Sequence, residues 1–294
     1  MSIFFYIMFL GDIMLGAIIG DIVGSYYEVL EVNYLKDNQT NRPYEERIKV
    51  LDKNVALFTD NSIYTDDTVL TCAIYDAIKN GNCDYSKYLK EYGLREISLG
   101  LDKYNRQRFG KNFIKWLNDE SLGNSYGNGA AMRVSPIGFL FDDYKTVRME
   151  SLKATIPTHN NVDALTGAEA VAVSIYFLRN GINKRDVINS IKEDYYDLNY
   201  NLEDLQKNNR FSSAAIDTVP VALYVFSVSK SFEDAIRKAI SVGGDTDTIT
   251  SIVGALSEAC WGVPENMKDE VKKYLTDDMI KLLGSYYGEK VWKK

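Results

Sequence analysis

Apolar residues recur at helical spacing through most of this chain. From Asp67 to Asn80, Val69, Leu70, Ala73, Ile74, Ala77 and Ile78 fall on one side, and Gly81 stands where a C-cap belongs. Val162 to Asn180 is apolar nearly all round and stops at Gly181, which predicts a helix central to the core. Phe232 to Ile240 is amphipathic behind Ser231, a good N-cap. Thr248 to Trp261 is apolar and rich in Ala and Gly, and it ends before Gly262 and Pro264. Met267 to Leu283 predicts a last amphipathic helix. Between Gly11 and Glu28, glycines recur at 16, 20 and 24, which in a helix makes a small-residue face for close packing. Strand alternation is sparse; a short hairpin between Val50 and Tyr64 is the one place it is expected. The polar stretch from Tyr195 to Asn209 reads as a surface excursion. The fold class that follows is all-α, a single compact orthogonal helical bundle with loops converging on a site.

No Gly/Ser linker or fixed-period repeat divides the 294 residues. The expected organisation is an N-terminal extension over 1–13, with Met14 as an alternative start, followed by one domain over 14–294. Ile3 to Leu10 is apolar, but Asp12 follows and no basic residue precedes it. It has neither the charged start of a signal peptide nor the ~20 residues of a membrane span. No membrane association is expected. The three cysteines, at 72, 83 and 260, match no zinc spacing. Cys72 and Cys260 fall in apolar helical patterns and read as buried free thiols, which fits a reducing cytoplasm. The net charge of −7 argues against binding a nucleic-acid backbone.

The chemistry concentrates in two acidic-hydroxyl clusters, Thr65-Asp66-Asp67-Thr68 and Asp245-Thr246-Asp247-Thr248, each at a predicted helix start. Adjacent carboxylates there can simply satisfy orphan N–H groups and the helix dipole. If the two starts face each other, however, four carboxylates meet in one small volume, and divalent cations are needed to relieve their repulsion. Oxygen-only donors select hard divalent cations. The flexible pair Gly243-Gly244 lets a ligand approach the second cluster. The loop from Gly123 to Arg133 can present N–H groups to phosphate oxygens, although it lacks the Lys of a P-loop. Tyr126 in that loop could stack on a base. His159, the single histidine, precedes the Val162 helix, where it reads as a cap or as a ribose or phosphate contact. With one histidine, no Ser/His/Asp or Cys/His arrangement forms without it.

The stretches GAIIGDIVGSYYE, YTDDTVLT, SYGNGAAMRVSPIGFL, THN and SVGGDTDTITSIVGAL, in this order from Gly16 to Trp261, resemble the ADP-ribosylglycohydrolase family. That family includes dinitrogenase-reductase-activating glycohydrolases and ADP-ribosylarginine and ADP-ribosylserine hydrolases. The resemblance implies an all-α fold with two Mg²⁺ or Mn²⁺ ions at the base of an ADP-ribose cleft. By motif, Thr65, Asp66, Asp67, Asp245, Asp247 and Thr248 would bind metal. Ser125, Tyr126, Gly127 and Asn128 would hold the diphosphate and its ribose, and His159 the phosphate region. Glu28 matches an acidic residue that gates or takes part in catalysis, and Asp66, Asp67 and Glu28 are the catalytic candidates. Asn161 stands where relatives often have a second His, the 212–220 segment matches loosely, and 29–57 has no motif to align. The implied activity is hydrolysis of the glycosidic bond between ADP-ribose and a modified side chain, on an ADP-ribosylated protein or a small ADP-ribosyl compound. The rivals are a non-catalytic ADP-ribose binder or a structural relative resembling the family's lens crystallins, and a metal-dependent hydrolase of another phosphate or nucleotide.

Overall fold

The computed structural model describes residues 14–119 and 123–287, with nothing said of the side chains of 285–287. The predicted extension over 1–13 therefore falls outside the described residues. Fifteen α-helices follow one another: α1 (Leu15–Asn38), α2 (Tyr44–Arg47), α3 (Asp66–Lys79), α4 (Tyr85–Ser98), α5 (Lys111–Leu117), α6 (Ser135–Leu140), α7 (Tyr144–Thr155), α8 (Val162–Arg179), α9 (Lys184–Asp194), α10 (Leu202–Asn208), α11 (Ala215–Val228), α12 (Phe232–Val242), α13 (Thr246–Trp261), α14 (Glu265–Val271) and α15 (Asp277–Tyr287). Among the described residues β pairing is confined to two isolated bridges, Asn124 with His159 and Gly127 with Ala214.

Helix α13 is the axis of the bundle. It is buried from Thr246 to Ala259, and α1, α12, α11 and α8 pack around it. The seam with α1 is the tightest. A Cβ on Gly20 would lie 2.1 Å from the Thr250 carbonyl oxygen, and one on Gly16 would lie 2.3 Å from that of Gly254. Glycine at these positions lets the two backbones touch, as the four-residue spacing predicts. Helix α8 is buried among α7, α6, α13 and α11, in keeping with its apolar surface. Ser231 caps α12 by accepting from Asp234 N–H.

Three expectations are corrected. The segment from Val50 to Tyr64 forms no hairpin: a 3₁₀ turn occupies Ile48–Leu51, and irregular turns follow. Its carbonyls find a side chain instead of a partner strand, since Arg237 Nη1 donates to Val50, Asp52 and Val55 oxygens at 2.7, 3.1 and 3.0 Å. The single helix expected from Met267 to Leu283 is broken between α14 and α15. Thr276, with Asp277 and Asp278 behind it, starts a new helix by accepting from Met279 N–H. The 195–209 excursion stays largely at the surface, as expected, while carrying α10, capped by Asn201, with Gln206 buried against Ser241. Cys72 is buried, as expected, whereas Cys260 is only half-buried; both are free thiols.

The N-terminus of α1 meets a carboxylate. Gly16 N–H donates to Glu258 Oε2 at 2.7 Å. Burial raises the Glu258 carboxyl from 4.5 to about 8, although the N–H groups of Gly16, Leu15 and Met14 oppose the shift. The folded chain thus keeps a proton that the unfolded chain releases above about 4.5. Stability falls by up to about 1.4 kcal/mol per pH unit between those two values and levels off above about 8. Glu258→Gln removes this slope. In denaturant titrations at several pH values, it should match the wild type near pH 5 and exceed it near pH 9; a gap that does not widen with pH contradicts the assignment. Gly20→Ala should cost about 1–3 kcal/mol or more through overpacking of the α1–α13 seam, measured the same way; a loss within half a kcal/mol would show that the seam yields.

Candidate active site

The first turn of α3 is built by hydroxyls. Thr65 is its N-cap, in extended backbone, and accepts from Asp67 N–H. The Thr65 hydroxyl donates its hydrogen to Asp21 Oδ1 at 2.7 Å. Asp21, in the middle of α1, also accepts at Oδ2 from the N–H groups of Thr65 and Thr68 and from the Thr68 hydroxyl. Four donors converge on one buried carboxylate, so α1 fixes the orientation of the acidic turn. Asp21 carried no assigned role in the sequence pattern. A single Asp beside Gly20 in a run buried from Leu15 to Ser25 was the available signal.

The second acidic turn is held from behind. Gly243 and Gly244 have φ of 66° and 81°, which favours glycine. A Cβ on Gly243 would lie 2.4 Å from Arg47 Cζ. Arg47 is fully buried and forks onto Glu31 of α1 at 2.9 and 2.7 Å. It also donates to the carbonyls of Gln206, Asn209 and Val242. Neither Glu31 nor Arg47 carried a motif in the sequence. Gly24 completes the contact, because a Cβ there would meet the Asp247 backbone at 2.7 Å. Asp245 is the N-cap of α13 yet forms no side-chain cap bond; its Oδ2 accepts from Asn128 Nδ2 at 2.7 Å. Asp247 Oδ1 accepts from Thr248 N–H.

The two turns face each other. Asp21, Asp67 and Asp247 each place an oxygen within 4.8 Å of the others, and so do Glu28, Asp245 and Asp247. Thr248 Oγ1 lies 3.4 Å from Asp67 Oδ2. Asp67 Oδ1 is buried without a hydrogen-bond partner. Burial first, and neighbouring carboxylates second, hold Asp67 and Asp247 well above the usual range. Asp66 and Asp245 are pushed up to about 7, mainly by burial. Burial and Asp247 lift Glu28 to about 8, against the pull of Arg106 Nη1 at 2.5 Å. An oxygen-only donor set with an orphaned buried carboxylate oxygen fits a hard divalent cation. Since Asp21 already accepts four hydrogen bonds, it serves better as an orienting group than as a ligand.

Two cavities meet here. One of about 550 Å³ runs from Asp66, Asp67, Asp245, Asp247 and Thr248 to Ser125, Gly127, Arg133 and His159. Another of about 260 Å³ shares Glu28, Asp66 and Asp247 with the first and adds Tyr64, Glu96 and Arg106. The glycine loop presents fewer free N–H groups than its sequence promised. Ser125 N–H donates to the Thr158 carbonyl, Asn128 N–H to that of Ser213, and Gly127 N–H to Ser125 Oγ. Asn128 spends its amide on Thr218 and Asp245. Tyr126 is 60% exposed and lies off the cavity wall. Arg133 and His159 line the cavity near the loop.

The ADP-ribosylglycohydrolase family profile matches residues 10–293, and the chain belongs to this family. It is similar to the ADP-ribosylarginine hydrolase Tri1 of Pseudomonas putida (strain GB-1), 25% identical over 92% of this chain and 75% of that protein. It is also similar to the ADP-ribosylhydrolase ARH3 of Homo sapiens, 23% identical over 90% of this chain and 89% of that protein. Among solved structures, an ADP-ribosylglycohydrolase-related protein complex superposes with a TM-score of 0.63 at 19% identity, over 93% of this chain and 95% of that one. The fold is therefore that of the family. No helix among the described residues is long and apolar enough to cross a membrane.

If the clustered carboxylates share cations, Mn²⁺ or Mg²⁺ should raise the melting temperature. At one hundred times Kd the gain is about 2.7 kcal/mol. Asp247→Asn, which alters the carboxylate common to both groups, should abolish most of the shift; a wild type whose melting is indifferent to either ion would refute cation binding.

Proposed function

We propose, from the premise of membership in the ADP-ribosylglycohydrolase family, that this chain is a divalent-cation-dependent hydrolase releasing ADP-ribose from a modified side chain. The observation that supports it most is the convergence of Asp67, Asp245, Asp247 and Glu28 on the floor of the larger cavity, which shares Glu28, Asp66 and Asp247 with the smaller one. In this reading ADP-ribose fills the larger cavity, with its diphosphate toward Arg133 and His159. The acceptor side chain leaves through the smaller one. Thr65, Asp66, Asp67, Asp245, Asp247 and Thr248 would hold two Mg²⁺ or Mn²⁺ ions. When bound, these supply Lewis acidity and positive charge beside the reacting ribose.

The chain's own groups divide the rest of the work. Asp66 borders both cavities and is placed to take a proton from an attacking water at its carboxylate. The remaining carboxylates stabilise an oxocarbenium-like transition state at C1″. Glu28 stands between the cavities, and Arg106 holds it there while itself bound to Asp102. Its raised pKa suits proton transfer to or from the departing group. Asn128 keeps Asp245 aimed at the floor.

Incubation of peptides mono-ADP-ribosylated on arginine or on serine, with Mg²⁺, Mn²⁺ or chelator, tests this. Release of ADP-ribose should require the ion and fall at least about a hundredfold in Asp66→Asn and Asp247→Asn. Turnover undiminished by chelator contradicts the cation, and ADP-ribose binding without turnover on any acceptor points to a binder.

A further inference from the structure

The single imidazole of the chain is wired to a guanidinium that no motif assigned a role. Arg133 is 1% exposed. Its Nη2 donates to the Ala154 carbonyl at 3.0 Å and to Thr158 Oγ1 at 2.7 Å. Thr158 Oγ1 in turn lies 2.6 Å from His159 Nδ1. Thr158 and His159 are buried as well, at 3% and 6% exposure.

The chemistry of these three groups favours one arrangement of hydrogens. A guanidinium is a donor only and keeps its charge, so the Thr158 oxygen must accept from it. A hydroxyl has one hydrogen to give. With Arg133 on its lone pair, the Thr158 hydrogen has His159 Nδ1 as the acceptor within reach. A proton on Nδ1 would set two hydrogens against each other or strand the hydroxyl's hydrogen in a buried place, which costs about 1–3 kcal/mol. We propose that Thr158, oriented by Arg133, is a positioning residue that locks His159 as the Nε2–H tautomer, making the ring a neutral donor to an anionic oxygen of the ligand in the 550 Å³ cavity. Burial, and then the charge of Arg133, keep the ring from protonating, so it stays neutral at pH 7.

The outward edge of the ring supports the donor role. A Cβ on Gly129 would come within 3.1 Å of Nε2, and one on Gly127 within 3.7 Å. Two glycines therefore leave this nitrogen uncovered on a cavity wall where three loop N–H groups are already engaged. Arg133 lines the same cavity, and its Nε and Nη1 are buried without a hydrogen-bond partner. The tautomer lock depends only on the protein. The donation to ligand rests on the proposed ADP-ribose cleft.

Because the chain holds one histidine, long-range ¹H–¹⁵N correlation of the imidazole reads the lock directly. In the ligand-free chain at pH 7, Nε2 should be fully protonated and Nδ1 a hydrogen-bonded acceptor. An Nδ1–H tautomer, an averaged pair or an imidazolium overturns the proposal. Thr158→Val should admit the second tautomer and weaken ADP-ribose binding about tenfold or more, the worth of one hydrogen bond to a charged group. Thr158→Ser should restore both. A Thr158→Val ring still locked at Nε2–H overturns the relay. Should that variant fail to fold, the wild-type spectrum and the Ser variant still decide. Should the wild type not bind ADP-ribose while its spectrum shows the lock, the cleft assignment fails and the relay stands.

Discussion

The bundle depends on the contact between α1 and α13, where glycine lets two backbones touch. Gly16, Gly20 and Gly24 leave no room for a Cβ against Gly254, Thr250 and Asp247. That proximity is what places Asp21 and Glu28, both on α1, within reach of acidic turns belonging to α3 and α13. Asp21 then orders the α3 turn through four hydrogen bonds, and Glu31 orders the α13 turn through Arg47. One helix carries both supports. A shift of α1 along the seam would misplace every carboxylate of the floor at once, because α1 is the common reference for the two turns.

Much of this was legible in the residues. The spacing of apolar positions located α3, α8, α12 and α13, because each buries a continuous face and each starts or stops at a capping residue or glycine. The two acidic turns could be read as a pair because both join carboxylates to hydroxyls at helix starts. The supporting layer could not be read. Glu31 meets Arg47 and Arg106 meets Glu28 across turns that periodicity does not describe. The 50–64 segment reads as strand-like, yet its carbonyls at Val50 and Val55 are satisfied by Arg237, a cation more than 180 residues away, and not by a partner strand. The glycine loop shows the same limit. Its composition marked it as a place where a ligand approaches, but which N–H groups remain free depends on its contacts with Thr158 and Ser213.

Electrostatics ties the two layers together. The floor gathers carboxylates whose proton affinities burial and mutual repulsion raise. Two guanidinium groups border it. Arg106 holds Glu28 on one side, and Arg133 stands on the other, drawn to Asp66. Each is already committed to holding a protein group, through Asp102 and Glu28 in one case and Thr158 in the other. Of the floor carboxylates Arg106 offsets Glu28 alone, and Arg133 bonds to none, so most of the charge there is left for mobile cations to balance.

In the proposed reading, the same arrangement would let an acidic chain accept a diphosphate. A net charge of −7 repels such a ligand at long range, although screening limits that to about 10 Å in salt. Within the cavity the sign of the field is set locally. Arg133 brings a buried positive charge that lacks a carboxylate partner within bonding distance and keeps two donors unsatisfied. His159 adds a donor and no charge, which matters because a second buried cation beside Arg133 would raise the cost of both. The cleft is thus polarised along its length. Its acidic end suits cations and a ribose, and its Arg133 end suits an anion. In the proposed reading, a ligand carrying both features lies in one orientation, with its ribose on the acidic floor.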